Sequence, residues 1–198
     1  MRVSWLKNTK TRLVELVDNR YTDKNTTHSY LPLYQTLFES KRKTAKNVLE
    51  IGIKEGGSIR LWNDFFINAT VYGVDICDQI KADIRNRKNI KLIWANAYDE
   101  TFFKSTFLGM KFDMLLDDGP HDLDSMKHCI TLYSQVMADN GILVIEDVQD
   151  WSWITELINT VPDNLKQYIK SYDLRPIKGR YDDIVFTIDK SSNKSKTN

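Results

Sequence analysis

The stretch LLDDGPH, residues 115–121, ends an apolar run in two adjacent acids, a Gly-Pro break and a histidine. Adjacent carboxylates repel, so Asp117 and Asp118 call for a chemical reason. A second apolar run, GILVIED (141–147), also ends in two acids, Glu146 and Asp147. If the two runs are neighbouring strands, up to four carboxylates reach one sheet edge. Such a cluster is costly unless some members are protonated or a cation sits among them. Hard oxygen donors suit Mg²⁺ or a similar divalent ion. His121 lies past the Gly-Pro turn, which could swing its imidazole over the same place. A histidine near neutral pH is a good general base, and a metal beside it would lower the pKa of a bound substrate hydroxyl. The plainer alternative is an Asp-Gly turn with capping acids and a surface histidine.

A second constellation lies earlier in the chain. In EIGIKEGGS (50–58), Gly52 permits a tight turn and close approach of a ligand, while Gly56 and Gly57 open the next helix. The spacing is not the G-x-G-x-x-G of a dinucleotide site. Asp75 ends the following apolar run in YGVD, where an acid can accept hydrogen bonds from the two ribose hydroxyls of an adenosine; a strand-end cap is the alternative. Trp151 and Trp153, just after the second acidic doublet, are candidates for stacking on a substrate, and one of them reads as helix core. His128 falls mid-helix and reads as structural or exposed. His28 is ambiguous, because its loop would close over the site. Arg180 and Tyr181 at a turn read as a solvated surface, as does ESKRK (39–43).

Strand–helix alternation positions these groups. Residues 3–18 carry a modest helical pattern, and Leu31 to Phe38 a short helix after a polar loop. Strands are expected at 47–53, 70–76, 90–99, 112–118 and 141–147. Helices are expected at 58–66 (with Ser58 as its cap), 78–86, 122–138 and 151–161, with a helical connection at 100–108. YIKSYDLR and DDIVFTID (182–189) suggest a closing strand pair, and the tail from 190 to 198 reads as disordered. Nearly continuous apolar strands between helices imply a parallel sheet covered on both faces. Ligands of such sheets sit beyond the carboxyl ends of the strands, which is where the acids fall.

The bounds agree. The 198 residues fit one domain. Lys+Arg is 28 against Asp+Glu 27, so no basic excess calls for a nucleic-acid partner. Cys77 and Cys129 lack metal spacing and read as free thiols, although a disulfide stays open. No run approaches a membrane span or a signal-peptide core. The expected location is the cytoplasm, or a host's cytoplasm for a viral chain.

Together, TDKNTTHSY (22–30), VLEIGIKEGGSIRLW (48–62), VYGVDI (71–76), LLDDGPH and GILVIEDV resemble a class I S-adenosylmethionine-dependent methyltransferase. More narrowly they are similar to the metal-dependent sugar O-methyltransferases of macrolide tailoring (the mycinamicin type), to glycan or rhamnosyl O-methyltransferases, and to stand-alone enzymes of large algal viruses. The resemblance implies a Rossmann-like α/β fold with a mostly parallel seven-stranded sheet. It implies an N-terminal helical and lid segment (1–46) and a cofactor-binding core (47–189). Its cofactors would be S-adenosylmethionine and Mg²⁺, its acceptor a sugar or glycan hydroxyl. Glu50, Gly52, Gly57 and Ser58 would hold the methionine part, Asp75 the ribose, Asn96 and Ala97 the adenine, and Asp117 would lie near the cofactor amino group. Thr22, Asp23, Lys24, His28 and Tyr30 would fold over the cofactor. Asp118, Glu146 and Asp147 would bind the metal, with Asp118 and His121 catalytic and His121 the base. By its length the chain is expected to be without the large N-terminal domain of some macrolide relatives, which leaves acceptor and oligomeric state open. A catechol-type O-methyltransferase and a non-catalytic cofactor-binding protein are the alternatives.

Overall fold

The computed structural model describes residues 11–191. Seven strands form one sheet: β1 (Asn47–Ile51), β2 (Thr70–Asp75), β3 (Ile90–Trp94), β4 (Phe112–Asp117), β5 (Met137–Ile145), β6 (Ile169–Asp173) and β7 (Ile184–Asp189). Their spatial order is β3-β2-β1-β4-β5-β7-β6. The first five are parallel, and β7 alone runs against its neighbours β5 and β6. The closing pair expected at the C-terminus is therefore present. The order reverses between β1 and β4, so the crevice of a doubly wound sheet opens there.

Strand side chains alternate between two cores. Leu49, Ile51, Leu115, Leu143 and Ile145 face α5 (Glu100–Thr106), α6 (Leu123–Tyr133) and α7 (Trp153–Thr160). Val48, Met114, Leu116, Ile142 and Val144 face α1 (Leu13–Leu16), α2 (Tyr30–Phe38), α3 (Gly57–Phe65) and α4 (Ala82–Arg85). Burial on both faces explains why these strands read as unbroken apolar runs. Phe38 and Tyr34 of α2 meet Trp62 of α3 at ring-centroid separations of 5.9 and 6.0 Å, so the N-terminal helix is part of the second core. No described helix is long and apolar enough to cross a membrane.

Several boundaries differ from expectation. The expected helix over 122–138 stops at Tyr133, and β5 already begins at Met137. Ser134–Val136 continue it as a 3-10 turn, and Met137, which suits a helix face and a strand equally, pairs with Phe112 of β4. α4 is only one turn, Ala82–Arg85, and of the helix expected over 3–18 the described part is Leu13–Leu16, residues 3–10 lying outside the described chain. The disordered tail expected from 190 lies, from residue 192 on, outside it too. Ser58 does not cap α3. Gly56, at φ 87°, is the N-cap, and the Ser58 hydroxyl donates to Glu50 Oε2 at 2.7 Å. A short helix α8 (Arg175–Lys178) sits between β6 and β7.

Gly52 marks the reversal point. It has φ 78°, and a Cβ there would lie 1.9 Å from the Asp118 carbonyl oxygen. Left-handed strain and overpacking each cost about 1–3 kcal/mol. Gly52→Ala is therefore expected to lower the unfolding free energy by about 2–4 kcal/mol, read by urea denaturation; an unchanged midpoint would show that the β1 and β4 ends are not held this closely.

Candidate active site

A cleft of about 650 Å³ opens over the carboxyl ends of β1 to β5, within the range of about 300–1,000 Å³ usual for small-molecule sites. From β1 and its turn come Gly52, Lys54 and Ser58; from β2, Asp75 and Ile76; from β3, Asn96, Ala97 and Tyr98. Asp118, His121 and Asp147 close the other end, while Thr22 and Asp23 reach over from the N-terminal segment. Lys54, His121 and Asp147 all hold positive φ, at 46°, 58° and 56°. Non-glycine residues in this region are strained, and such strain concentrates at working sites.

Asp75 serves two purposes. Its Oδ2 accepts from the backbone N–H groups of Ile53 and Lys54, both at 2.9 Å, and its Oδ1 from that of Cys77 at 3.0 Å. It thus fixes the turn after β1, and it lines the cleft.

The two acidic doublets are divided by strand alternation. Asp117 points into the α6 side, where Tyr98 donates to its Oδ1 at 2.6 Å and the Gly119 amide at 3.3 Å; burial pushes its carboxyl up to about 6. Glu146 points to the opposite side, where Lys24 and the Tyr34 hydroxyl each donate to one of its oxygens. Asp118 and Asp147 face the cleft with His121 between them. His121 Nε2 lies 3.1 Å from Asp118 Oδ1 and 3.4 Å from Asp147 Oδ2. Burial pulls the imidazole pKa down, but the neighbouring acids outweigh it and leave it raised.

Lys24 is the centre of charge. Its side chain is 1% exposed, and its Nζ lies 2.7 Å from Asp118 Oδ2, 3.5 Å from Glu50 Oε1 and in contact with Glu146. Burial opposes the ammonium, yet the three acids raise its pKa well above normal. One cation cannot neutralise three carboxylates. Burial raises Asp118 too, but Lys24 and His121 draw it down to about 2. Burial pushes Glu50 up to about 7 and holds Glu146 well above the carboxylate range. Glu50 Oε2 also accepts from Trp62 Nε1 at 3.1 Å.

Six expected cofactor contacts therefore do not line the cleft: Lys24, His28, Tyr30, Glu50, Gly57 and Asp117. Lys24 and Glu50 are buried against each other. Tyr30 donates to Asp147 Oδ1, and His28 Nδ1 lies 2.7 Å from Asp183 Oδ1. Gly57 leaves room for the Tyr21 carbonyl, which a Cβ would meet at 2.0 Å. Glu146, expected as a metal ligand, has both oxygens taken by Lys24 and Tyr34. At the cleft, the carboxylates of Asp118 and Asp147 stand on either side of the His121 imidazole, and ligand atoms of the three lie within 4.8 Å of one another.

Tyr34, Tyr98 and Lys178 escaped the sequence reading. Tyr34 stands one helical turn after Tyr30, a spacing that could have revealed it. The Lys178 ammonium donates to the carbonyls of Asn25, Thr26 and His28 at 2.6, 3.0 and 2.7 Å, and no local pattern announces that. Trp153 packs against the core and Trp151 is exposed. His128 is exposed, and Cys77 and Cys129 are both free thiols.

Removing one partner of a buried ion pair costs about 3–5 kcal/mol. Lys24→Met is expected to lose that much stability in a urea titration at pH 7, and wild-type stability would contradict the central role given to its charge.

The sequence and the fold have counterparts among known proteins. The methyltransferase domain described as Methyltransf_24 matches residues 49–148. The chain is 29% identical over 143 residues to the 8-demethyl-8-alpha-L-rhamnosyl tetracenomycin-C 2'-O-methyltransferase of Streptomyces olivaceus, covering 67% of this chain and 36% of that one. It is 29% identical over 153 residues to the mycinamicin VI 2''-O-methyltransferase of Micromonospora griseorubida, covering 73% and 38%. It thus spans a little over a third of the length of these curated relatives. An uncharacterised protein of Acanthamoeba polyphaga mimivirus is 26% identical over 168 residues, covering 77% of this chain and 76% of that protein. Among solved structures, the MycE methyltransferase of the mycinamycin biosynthetic pathway, in complex with Mg and SAH, superposes with a TM-score of 0.74 at 23% identity, over 96% of this chain and 57% of that one. The Rossmann-like fold, the cleft at its switch point and the match across half its length lead to one conclusion: the chain belongs to the methyltransferase-domain family Methyltransf_24.

Proposed function

We propose that the chain is an S-adenosylmethionine-dependent O-methyltransferase that acts on a sugar hydroxyl of a glycan or glycoside, assisted by a divalent cation. The observation that carries the reading is the Asp118–His121–Asp147 group at one end of a cleft whose other end holds Asp75, Asn96 and Ala97. Relatives with rhamnosyl and mycinamicin acceptors in their names support the sugar class. A net charge of +1 gives no support to a nucleic-acid acceptor.

The residues fit both small partners. Asp75, which already accepts from the backbone N–H groups of Ile53, Lys54 and Cys77, keeps lone-pair capacity for a ribose hydroxyl, and the bare Gly52 turn lets a ligand lie against the chain. When bound, S-adenosylmethionine would supply a methyl group on a positively charged sulfur. Asp118 and Asp147 are the carboxylates that would hold a hard cation, which would supply Lewis acidity toward an acceptor hydroxyl. The surplus of acids around the single Lys24 ammonium favours such an ion.

His121 then handles the proton. While Nε2 faces the Asp118 carboxylate it carries a hydrogen, so it accepts the acceptor's proton only once that contact opens. Asp147, fixed by the Tyr30 hydroxyl, keeps the ring aimed at the cleft. Lys24 keeps Asp118 ionised. Thr22 and Asp23 line the cleft from the N-terminal segment, where they would limit water near the reacting oxygen.

Loss of a general base costs about 10²–10⁴ in rate. In an assay of methyl transfer to rhamnose-containing acceptors, His121→Ala is expected to lower kcat by that factor while S-adenosylhomocysteine binds nearly as before. Asp118→Asn should abolish the response to Mg²⁺. Turnover unaffected by both substitutions would sink the assignment of this end of the cleft.

A further inference from the structure

A second acidic group lies behind Asp147, outside the cleft. Asp182 and Asp183 stand at the entry to β7, and His28 comes from the segment that leads into α2. Their ligand atoms lie within 4.8 Å of one another. All three are buried, with exposures of 5% for His28, 7% for Asp182 and 0% for Asp183. The site is built: His28 Nδ1 is 2.7 Å from Asp183 Oδ1 and 3.3 Å from Asp147 Oδ1, and Arg180 donates to Asp182 Oδ2 at 2.8 Å.

Those contacts leave an imbalance. Asp182 Oδ1 and Asp183 Oδ2 are buried with no hydrogen-bond partner. A buried acceptor left unsatisfied is costly, and a buried carboxylate more so. Three carboxylates, Asp147, Asp182 and Asp183, meet here with one guanidinium and one imidazole. Native folds rarely leave such oxygens orphaned unless water or an ion serves them.

We propose that His28, Asp182 and Asp183 form a second divalent-cation site, selective for an ion of the Zn²⁺ or Mn²⁺ type, that ties the 22–30 segment to β7. The donor set decides the ion. Mg²⁺ and Ca²⁺ prefer all-oxygen ligands, whereas an imidazole with carboxylates suits transition ions. Zinc ligands sit at about 2.0–2.2 Å, so two of them are at most about 4.4 Å apart. A group already within 4.8 Å closes on an ion by shifts of a few tenths of an ångström. The ion replaces the His28–Asp183 contact and serves the orphaned oxygens. It also adds a joint beside the one Lys178 makes to the carbonyls of Asn25, Thr26 and His28, fixing Thr22 and Asp23 over the cleft.

The test does not depend on methyl transfer. Full-length protein freed of metal is equilibrated with Zn²⁺ in excess Mg²⁺, and bound zinc is measured by elemental analysis alongside Tm. The expected result is one tightly held Zn²⁺ per chain and a rise in Tm. Both are lost in His28→Gln and Asp183→Asn and both persist in Asp118→Asn. Zinc binding that ignores the first two substitutions, or no zinc bound, overturns the proposal. Should those variants fail to fold, anomalous diffraction from wild-type crystals grown with Zn²⁺ decides. A peak among the three side chains supports the site; no peak there refutes it.

Discussion

The buried ammonium of Lys24 is the contact on which the site depends. A parallel sheet brings its strand ends together, and here acids beside three of those ends turn toward one point: Glu50 within β1, Asp118 just past β4 and Glu146 just past β5. Their mutual repulsion has no remedy within the sheet. The cation comes from outside it, on the segment before α2, so that segment is the counter-charge of the sheet edge as well as the cover of the cleft. The aromatic contacts of Tyr34, Phe38 and Trp62 then act on the chemistry. They hold the Tyr34 hydroxyl on Glu146 and the Trp62 N–H on Glu50, the two acids that Lys24 leaves under-compensated.

Alternation along a strand turns each acidic doublet into two different groups. Asp117 goes down into one core and Asp118 up into the cleft; Glu146 goes to the other core and Asp147 to the cleft. One acid of each pair anchors and one is presented. Asp118, beside Lys24, is the strongly ionised member, which suits it to hold a cation or orient His121. Glu50, Asp117 and Glu146, pushed upward by burial, are suited to hydrogen bonding inside the protein. The positive φ values at His121 and Asp147 fall in the turns that follow β4 and β5, and both residues line the cleft.

The sheet and the cleft end of the site were legible because their signals are local. Apolar runs of strand length, glycine turns and the acids that end the runs sit next to one another in sequence, so β1, β2, β4 and the positions of Asp75, Asp118, His121 and Asp147 follow directly. The start of β5 was not legible, because Met137 satisfies both periods and only pairing with Phe112 of β4 chooses. The partners of Lys24, His28 and Tyr30 were not legible for another reason. Their partners lie far along the chain, at Glu146, Asp183 and Asp147, and a polar loop carries no periodicity that would show its lysine to be fully buried. Nor does the sequence show that Lys24 and Tyr34 both reach Glu146.

The most direct test of the account is a calorimetric titration of the folded protein with S-adenosylhomocysteine, with NAD as control. The account predicts saturable binding of one S-adenosylhomocysteine per chain, weakened by Asp75→Ala, and no heat with NAD. A folded protein that binds no S-adenosylhomocysteine would contradict the assignment of the cleft between Asp75 and Asp118.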